Sequence, residues 1–295
     1  MRFEGTYTAL ATPFTPGEGN PIDWAAFDAL IAHQLAGGIT GLVPCGTTGE
    51  SPALSHEEHL AVVKRTVEKA KGKAQIVAGT GSNSTAHAIT LSKEAEALGV
   101  DAVMVVVPYY NKPTQEGLYR HFVAVARAVK CPVVVYNVPG RSSVDLSADT
   151  LGRIMQDAKN VVATKEATGN VLRGQELVRR HGDALAVLCG DDALTLPMIA
   201  CGARGVISVT SNAFPGPVTK ATALALAGDF AAARKAHQAL LPIHEAMFVE
   251  ANPGPLKAAL AKLGIGGETL RGPMAEVSEA SRRAVHAALD AYGAR

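Results

Sequence analysis

Short, nearly continuous apolar runs alternate along the chain with longer segments in which apolar residues recur at helical spacing. The runs begin near Tyr7, Gly41, Gln75, Ala102, Pro132, Val161, Leu185 and Gly205. Unbroken apolar runs, rather than in–out alternation, are what parallel strands covered on both faces require. The helical segments between them carry start and stop signals. Segment 23–36 opens on Asp23 and ends at Gly37-Gly38, an acidic cap and a glycine stop. Ser55 opens Ser-His-Glu-Glu, a capping box in which Glu58 reaches back to the Ser55 amide. Segment 84–98 ends at Gly99, and 115–129 runs up to Cys131-Pro132. Segments 147–155, 170–180 and 192–200 complete the set. Eight strand–helix units predict an α/β fold whose parallel sheet closes into a (β/α)8 TIM barrel. A doubly wound open sheet is the alternative. It is weakened because Gly79-Thr80-Gly81 is followed by Ser84, where a dinucleotide-binding turn has its third glycine.

After Ser211 the strand pattern stops. Helical stretches at 217–227, 230–247, 255–263 and 278–292 predict a C-terminal helical appendage. The expected division is a barrel over 1–228 and a helical domain over 229–295. The chain has 295 residues, 47% hydrophobic and 19% charged, with a net charge of +1. That is an ordinary globular composition. It shows no basic stripe of the kind that nucleic acid or an anionic membrane attracts, so neither is an expected partner. The first residues lack an apolar signal region, and the longest apolar stretch, 102–108, is far too short to span a bilayer. Cys45, Cys131, Cys189 and Cys201 form no CxxC pair and are expected as free, mostly buried thiols in a reducing, cytoplasmic setting.

Barrel enzymes carry their reactive groups at the C-terminal ends of the strands. There the chain places Thr12-Pro13-Phe14, Gly46-Thr47-Thr48-Gly49-Glu50, Gly79-Thr80-Gly81, Pro108-Tyr109-Tyr110-Asn111, Tyr136-Asn137, Lys165-Glu166, Gly190-Asp191-Asp192 and Ser208. Lys165 closes the run Val161-Val162-Ala163-Thr164. A buried ammonium is costly without a partner, and desolvation favours the neutral amine that attacks ketones. The other reading of Lys165 is a structural pair with Glu166, or a solvated loop lysine. Thr47 and Thr48, in a glycine-flanked turn, offer hydroxyls and amides to a carboxylate or phosphate, or simply form a hydrophilic turn. Tyr136 suits a proton relay or plain packing. Arg141, in Pro139-Gly140-Arg141, suits a carboxylate clamp or a solvated loop. His56 and His59 stand three apart, without the spacing of a zincin helix, and are expected on an exposed face. The chain has no GxSxG elbow, and no obvious His/Asp/Glu cluster predicts a metal.

Together these residues carry a resemblance. GTTGES (46–51), PYYNKP (108–113), GLYRHF (117–122), YNVPGR (136–141), KEATGN (165–170), GDD (190–192), GVISVTSN (205–212) and FVEANPGPLK (248–257) occur in one order. The chain resembles, nearly end to end, the dihydrodipicolinate synthase family of the pyruvate-dependent class I aldolases, whose superfamily includes N-acetylneuraminate lyase. The resemblance implies that Lys165 forms an imine with pyruvate. It implies that Thr47 and Thr48 bind the pyruvate carboxylate or orient protons. By the same resemblance, Tyr136, Thr48 and Tyr110 are expected to form a proton relay, with Tyr110 reaching in from a neighbouring subunit. It implies that Arg141 receives the carboxylate of L-aspartate-4-semialdehyde and that Gly190 and Ile207 line the pyruvate pocket. The implied product is 4-hydroxy-tetrahydrodipicolinate, on the route to diaminopimelate and lysine. The implied assembly is a homotetramer built from tight dimers, and no metal or organic cofactor is implied. Sister lyases acting on sugar acids share the lysine and the threonine turn, whereas Arg141 and its YNVPGR context favour the synthase. A barrel retained for binding alone is the reading from another class, and the presence of Lys165, Thr48 and Tyr136 speaks against it. The positions matching the feedback site of lysine-regulated relatives include Ser51, His56, His59, Asn83 and Tyr109. Pro52 replaces a small residue there, and His87 stands where regulated relatives can carry a glutamate. Weak inhibition by lysine, or none, is therefore expected.

Overall fold

A computed structural model describes residues 2–293. Eight parallel strands form a closed barrel in sequence order. They are β1 (Gly5–Ala9), β2 (Gly41–Val43), β3 (Gln75–Gly79), β4 (Ala102–Val106), β5 (Val133–Asn137), β6 (Val161–Glu166), β7 (Ala186–Cys189) and β8 (Gly205–Ser208). Around them lie α1 (Trp24–Ala36), α2 (His56–Ala70), α3 (Thr85–Ala97), α4 (Gln115–Ala128), the single turn α5 (Pro139–Ser142), α6 (Ala148–Asp157), α7 (Val171–His181), α8 (Thr195–Ala200) and α9 (Pro215–Leu226). The open-sheet alternative is excluded because β1 pairs with both β2 and β8. Closure needs close backbone approach. A Cβ on Gly205 would lie 1.9 Å from the Gly5 carbonyl oxygen, and one on Gly41 would lie 2.4 Å from the Tyr7 ring.

Strand alternation sorts the apolar runs into two cores. Tyr7, Val43, Val77, Met104, Val134, Ala163, Leu188 and Ile207 fill the barrel interior. Val103, Val105, Val133, Val135, Val161 and Val187 face the helices instead. Both strand faces are therefore apolar, which is why no polar alternation shows in the sequence. Asp23 caps α1 through Ala26 N, and Ser55 with Glu58 forms the expected capping box on α2.

Three expectations are corrected. The helix expected over 192–200 breaks into a 3-10 turn, Asp192–Leu194, followed by α8. The buried Asp192 carboxylate is held by Ser208 Oγ at 2.5 Å and by the Val209 and Thr210 amides at 2.9 and 3.1 Å, which pins the segment to β8. His59 is buried rather than exposed, with Nε2 2.8 Å from the Gly79 carbonyl. Cys45 and Cys189 are buried, but Cys131 is only half-buried, and all four thiols are free. Burial pushes the Cys189 thiol up to about 12.

Three helices follow α9: α10 (Phe230–Ala246), α11 (Gly254–Lys262) and α12 (Glu279–Tyr292). Every residue of α11 from Gly254 to Leu260 is buried. The segment leading into it, 248–253, returns to the C-terminal mouth of the barrel, where Phe248 and Asn252 face Thr48 and Lys165 across one cavity. Among the described residues no helix is long and apolar enough to cross a membrane.

His121 on α4 gives a test of the packing. It is buried, its Nδ1 lies 2.9 Å from Thr85 Oγ1, and its ring meets Phe122 edge-on. Burial holds its pKa down at about 4, against 6.5 for a free imidazole. The unfolded chain therefore binds the extra proton between those two values. The stabilisation is fully present above pH 6.5 and is lost as the pH falls towards 4, up to ~3 kcal/mol for this one group. Denaturant titrations across that window should show a smaller acid loss for His121→Gln than for the parent chain. Equal slopes would place the acid sensitivity elsewhere.

Candidate active site

β5, β6 and β7 set the geometry at the barrel mouth. Their register places Tyr136 beside Lys165, and Lys165 beside Leu188. Alternation sends Lys165 inward, in step with Ala163 below it, and sends Glu166 outward. The outward carboxylate accepts from the Thr168 amide at 2.9 Å and lies 3.6 Å from Arg173 Nε. Burial raises the Glu166 pKa. Neither alternative reading of Lys165 survives this arrangement. The side chain is 5% exposed, so it is not a solvated loop lysine. Among the described residues no carboxylate pairs with it, Glu166 included. Its Nζ lies 4.4 Å from the centroid of the Tyr136 ring.

The cavity above Lys165 has a volume of about 140 Å³ and is lined by Thr47, Thr48, Tyr136, Arg141, Gly190 and Asn252, with Val138, Ala167, Asp191, Val209 and Phe248 completing the wall. That is below the range of pockets for drug-sized ligands and suits a molecule of a few heavy atoms. Gly190 is needed for space: a Cβ there would lie 2.6 Å from Ala167 Cβ and 3.2 Å from Lys165 Cε. A side chain there would clash first with Ala167 and would press on the lysine stem.

The Thr47–Thr48 turn follows β2. It is closed by Gly49 N to Gly46 O and by Glu50 N to Thr47 O, both 3.1 Å, and is tied to the first strand's exit by Thr12 Oγ1 to Gly49 O at 2.8 Å. Cys45 and Glu50 flank it with positive φ, 55° and 53°. The Thr47 and Thr48 amides have no acceptor among the described residues. Thr48 is 2% exposed, and its hydroxyl accepts from Asn252 Nδ2 at 3.0 Å. Arg141, on the exposed turn α5, donates from Nη2 to the Asn252 carbonyl at 3.2 Å.

The expected site residues thus fall into three groups. Lys165, Tyr136, Thr47, Thr48, Arg141 and Gly190 converge on one cavity. Ile207 does not join them. It sits buried in the barrel interior, and Val209 lines the cavity instead. Tyr110, with φ +74° and 88% exposed, stands on the loop after β4 away from its own cavity. Ser51, His56, His59, Asn83 and Tyr109 do come together, lining a second cavity of about 270 Å³ with Pro52 and His87. There His56 Nε2 lies 2.9 Å from Glu94 Oε2.

Sequence reasoning missed Asn252 and Asp191 as lining residues. Asp191 caps the turn after β7 through Ala193 N at 3.0 Å, and burial raises its pKa. Both residues lie in motifs noted above, GDD and FVEANPGPLK, but spacing alone gives them no task. Among the described residues no group of three or more His, Cys, Asp or Glu side chains is placed to hold a metal ion.

Comparison with known proteins agrees with the barrel fold. The model of the dihydrodipicolinate synthetase family matches residues 2–292, and the chain belongs to that family. A protein of Sorangium cellulosum named 4-hydroxy-tetrahydrodipicolinate synthase is 56% identical over 295 residues, covering 100% of this chain and 98% of that one. The solved 4-hydroxy-tetrahydrodipicolinate synthase of Methylacidiphilum fumariolicum SolV superposes with a TM-score of 0.96 at 46% identity, covering 99% of this chain and 96% of that one. The dihydrodipicolinate synthase of Acinetobacter baumannii, solved with pyruvate, gives a TM-score of 0.96 at 40% identity and covers 99% of each chain.

One residue, Asn252, holds both Thr48 and Arg141, the first through its side chain and the second through its carbonyl. Asn252→Ala should keep the far-ultraviolet circular dichroism of the parent yet lower turnover by about tenfold, because a small misplacement at a site costs rate steeply. Unchanged turnover would show that the Asn252 amide does not matter to the site.

Proposed function

We infer that the chain condenses pyruvate with L-aspartate-4-semialdehyde through an imine on Lys165, giving 4-hydroxy-tetrahydrodipicolinate on the route to diaminopimelate and lysine. One observation carries this reading: a buried lysine at the floor of a small cavity edged by a phenol, a hydroxyl and two amides, the lysine without a carboxylate partner and the amides without an acceptor among the described residues. Membership of the family supports it.

The steps follow from the side chains. The neutral Lys165 amine adds to the keto carbon of pyruvate, and loss of water gives the protonated imine. The Thr47 and Thr48 amides hold the pyruvate carboxylate. The imine acidifies the adjacent methyl group, and proton loss gives an enamine. The enamine carbon attacks the aldehyde of the semialdehyde, whose carboxylate Arg141 receives. The substrate's own amine then displaces Lys165 and closes the ring. Each step moves a proton, which Tyr136 and Thr48 relay with Tyr110 of a neighbouring subunit. The exposure of Tyr110 on its own chain supports that loan. We accordingly propose a homotetramer of tight dimers acting in the cytoplasm. We further propose that the chain divides at Gly228, the positive-φ residue between α9 and α10.

Borohydride reduction in the presence of pyruvate, followed by peptide mapping, should place a reduced pyruvyl adduct on Lys165. A folded protein that yields no adduct would sink the imine reading. The residues lining the second cavity offer the family's feedback ligand the imidazoles of His56, His59 and His87 and no carboxylate, Glu94 being engaged by His56, whereas an acidic partner is wanted for its amino groups. Lysine at about millimolar concentration should therefore inhibit weakly or not at all. Strong inhibition at about micromolar lysine would overturn this.

A further inference from the structure

The described chain buries a second lysine, and its surroundings differ from those of the first. Lys257 on α11 is 1% exposed. Its ammonium forms an ion pair with the Glu50 carboxylate, donates to the Thr269 carbonyl at 2.8 Å, and lies 4.2 Å from the centroid of the Phe14 ring. The other oxygen of Glu50 accepts from the Arg271 amide at 3.0 Å. Arg271 in turn grips Glu58 with two contacts of 2.6 and 2.7 Å and donates to the Ala53 carbonyl at 3.0 Å.

Burying such a pair gives little net stability, because desolvating two charges offsets their attraction. Glu50 also holds a left-handed backbone, φ +53°, where a side chain is strained. Two costly features at one residue point to a task other than folding. That residue closes the turn carrying Thr47 and Thr48: its amide donates to the Thr47 carbonyl, and its carbonyl accepts from Ala53 N at 2.9 Å.

We propose that Glu50 and Lys257 are positioning residues, through which α11 holds the Thr47–Thr48 turn in the conformation that receives the carboxylate of the keto acid. Neither touches the reacting atoms. Lys257 acts through Glu50, and Glu50 acts through the backbone of the turn. The inference rests on the proposed role of that turn.

The test compares the full-length parent, Glu50→Gln and the double variant Glu50→Gln/Lys257→Met. Thermal unfolding, the separate KM values for the two substrates, and the rate of borohydride trapping with pyruvate are measured for each. Glu50→Gln leaves Lys257 without its counter-charge and should lower the melting temperature. The double variant buries no unpaired charge and should recover most of that loss. Both should nevertheless raise the pyruvate KM by about tenfold and slow adduct formation on Lys165 correspondingly, because neither clamps the turn. The semialdehyde KM should change much less. A double variant with the parent's pyruvate KM would show the pair to be structural only and overturn the proposal. So would equal rises in both KM values. If the parent itself gives no Lys165 adduct, the functional reading fails. If the parent gives the adduct and the variants match its rate, only this inference fails.

Discussion

The site depends on keeping one amine buried without a counter-charge. An ammonium taken from water costs several kcal/mol unless something repays it. The chain contains both solutions. Lys257 is paired with Glu50 and the Thr269 carbonyl, although burial still lowers its pKa. Among the described residues Lys165 receives only the face of Tyr136. Strand parity enforces the difference, because the nearest carboxylate in sequence, Glu166, must point to the opposite side of β6, where Arg173 and the Thr168 amide occupy it. A lysine and a glutamate adjacent on a strand cannot pair. The same parity stacks Lys165 on Ala163 and sets it against Tyr136 and Leu188.

Space is the second constraint. The interior layers beneath the mouth are filled by Tyr7, Met104, Leu188 and Ile207, so the cavity ends where Lys165 begins. Gly190 leaves the lysine stem room to reach its floor. A pocket of this size recognises a ligand with few atoms by close contact, and it needs only a few polar groups to do so.

Most of the barrel was legible because its signals are local. Continuous apolar runs marked the strands, Ser55 and Glu58 marked the start of α2, and the lysine at the end of β6 stood out against an apolar run. The misreadings were all long-range. The helix after β7 breaks because Asp192 is claimed by residues 208–210 of the next strand. His59 is buried because its ring finds the Gly79 carbonyl on β3. Asn252 meets Thr48 across 204 residues, a separation at which periodicity and turn chemistry carry no information. Ile207 sat at a strand end, but which of Ile207 and Val209 reaches the cavity depends on how the chain turns after β8, where 210–212 form a 3-10 turn. The family resemblance supplied roles for Thr48, Tyr110 and Arg141 that their local sequence left open.

The order of the site along the chain has a consequence for how the protein is made. Lys165, Tyr136 and the threonine turn all lie in the first 165 residues, yet Asn252 and Lys257 reach them only from the segment after α10. During synthesis the barrel strands emerge first. The groups that brace Thr48, Arg141 and Glu50 emerge roughly ninety residues after the lysine, about five to twenty seconds later at ordinary elongation rates. A nascent chain stalled before that segment would hold its lysine above an unbraced turn. The mouth is thus completed by a segment made well after the strands that it braces.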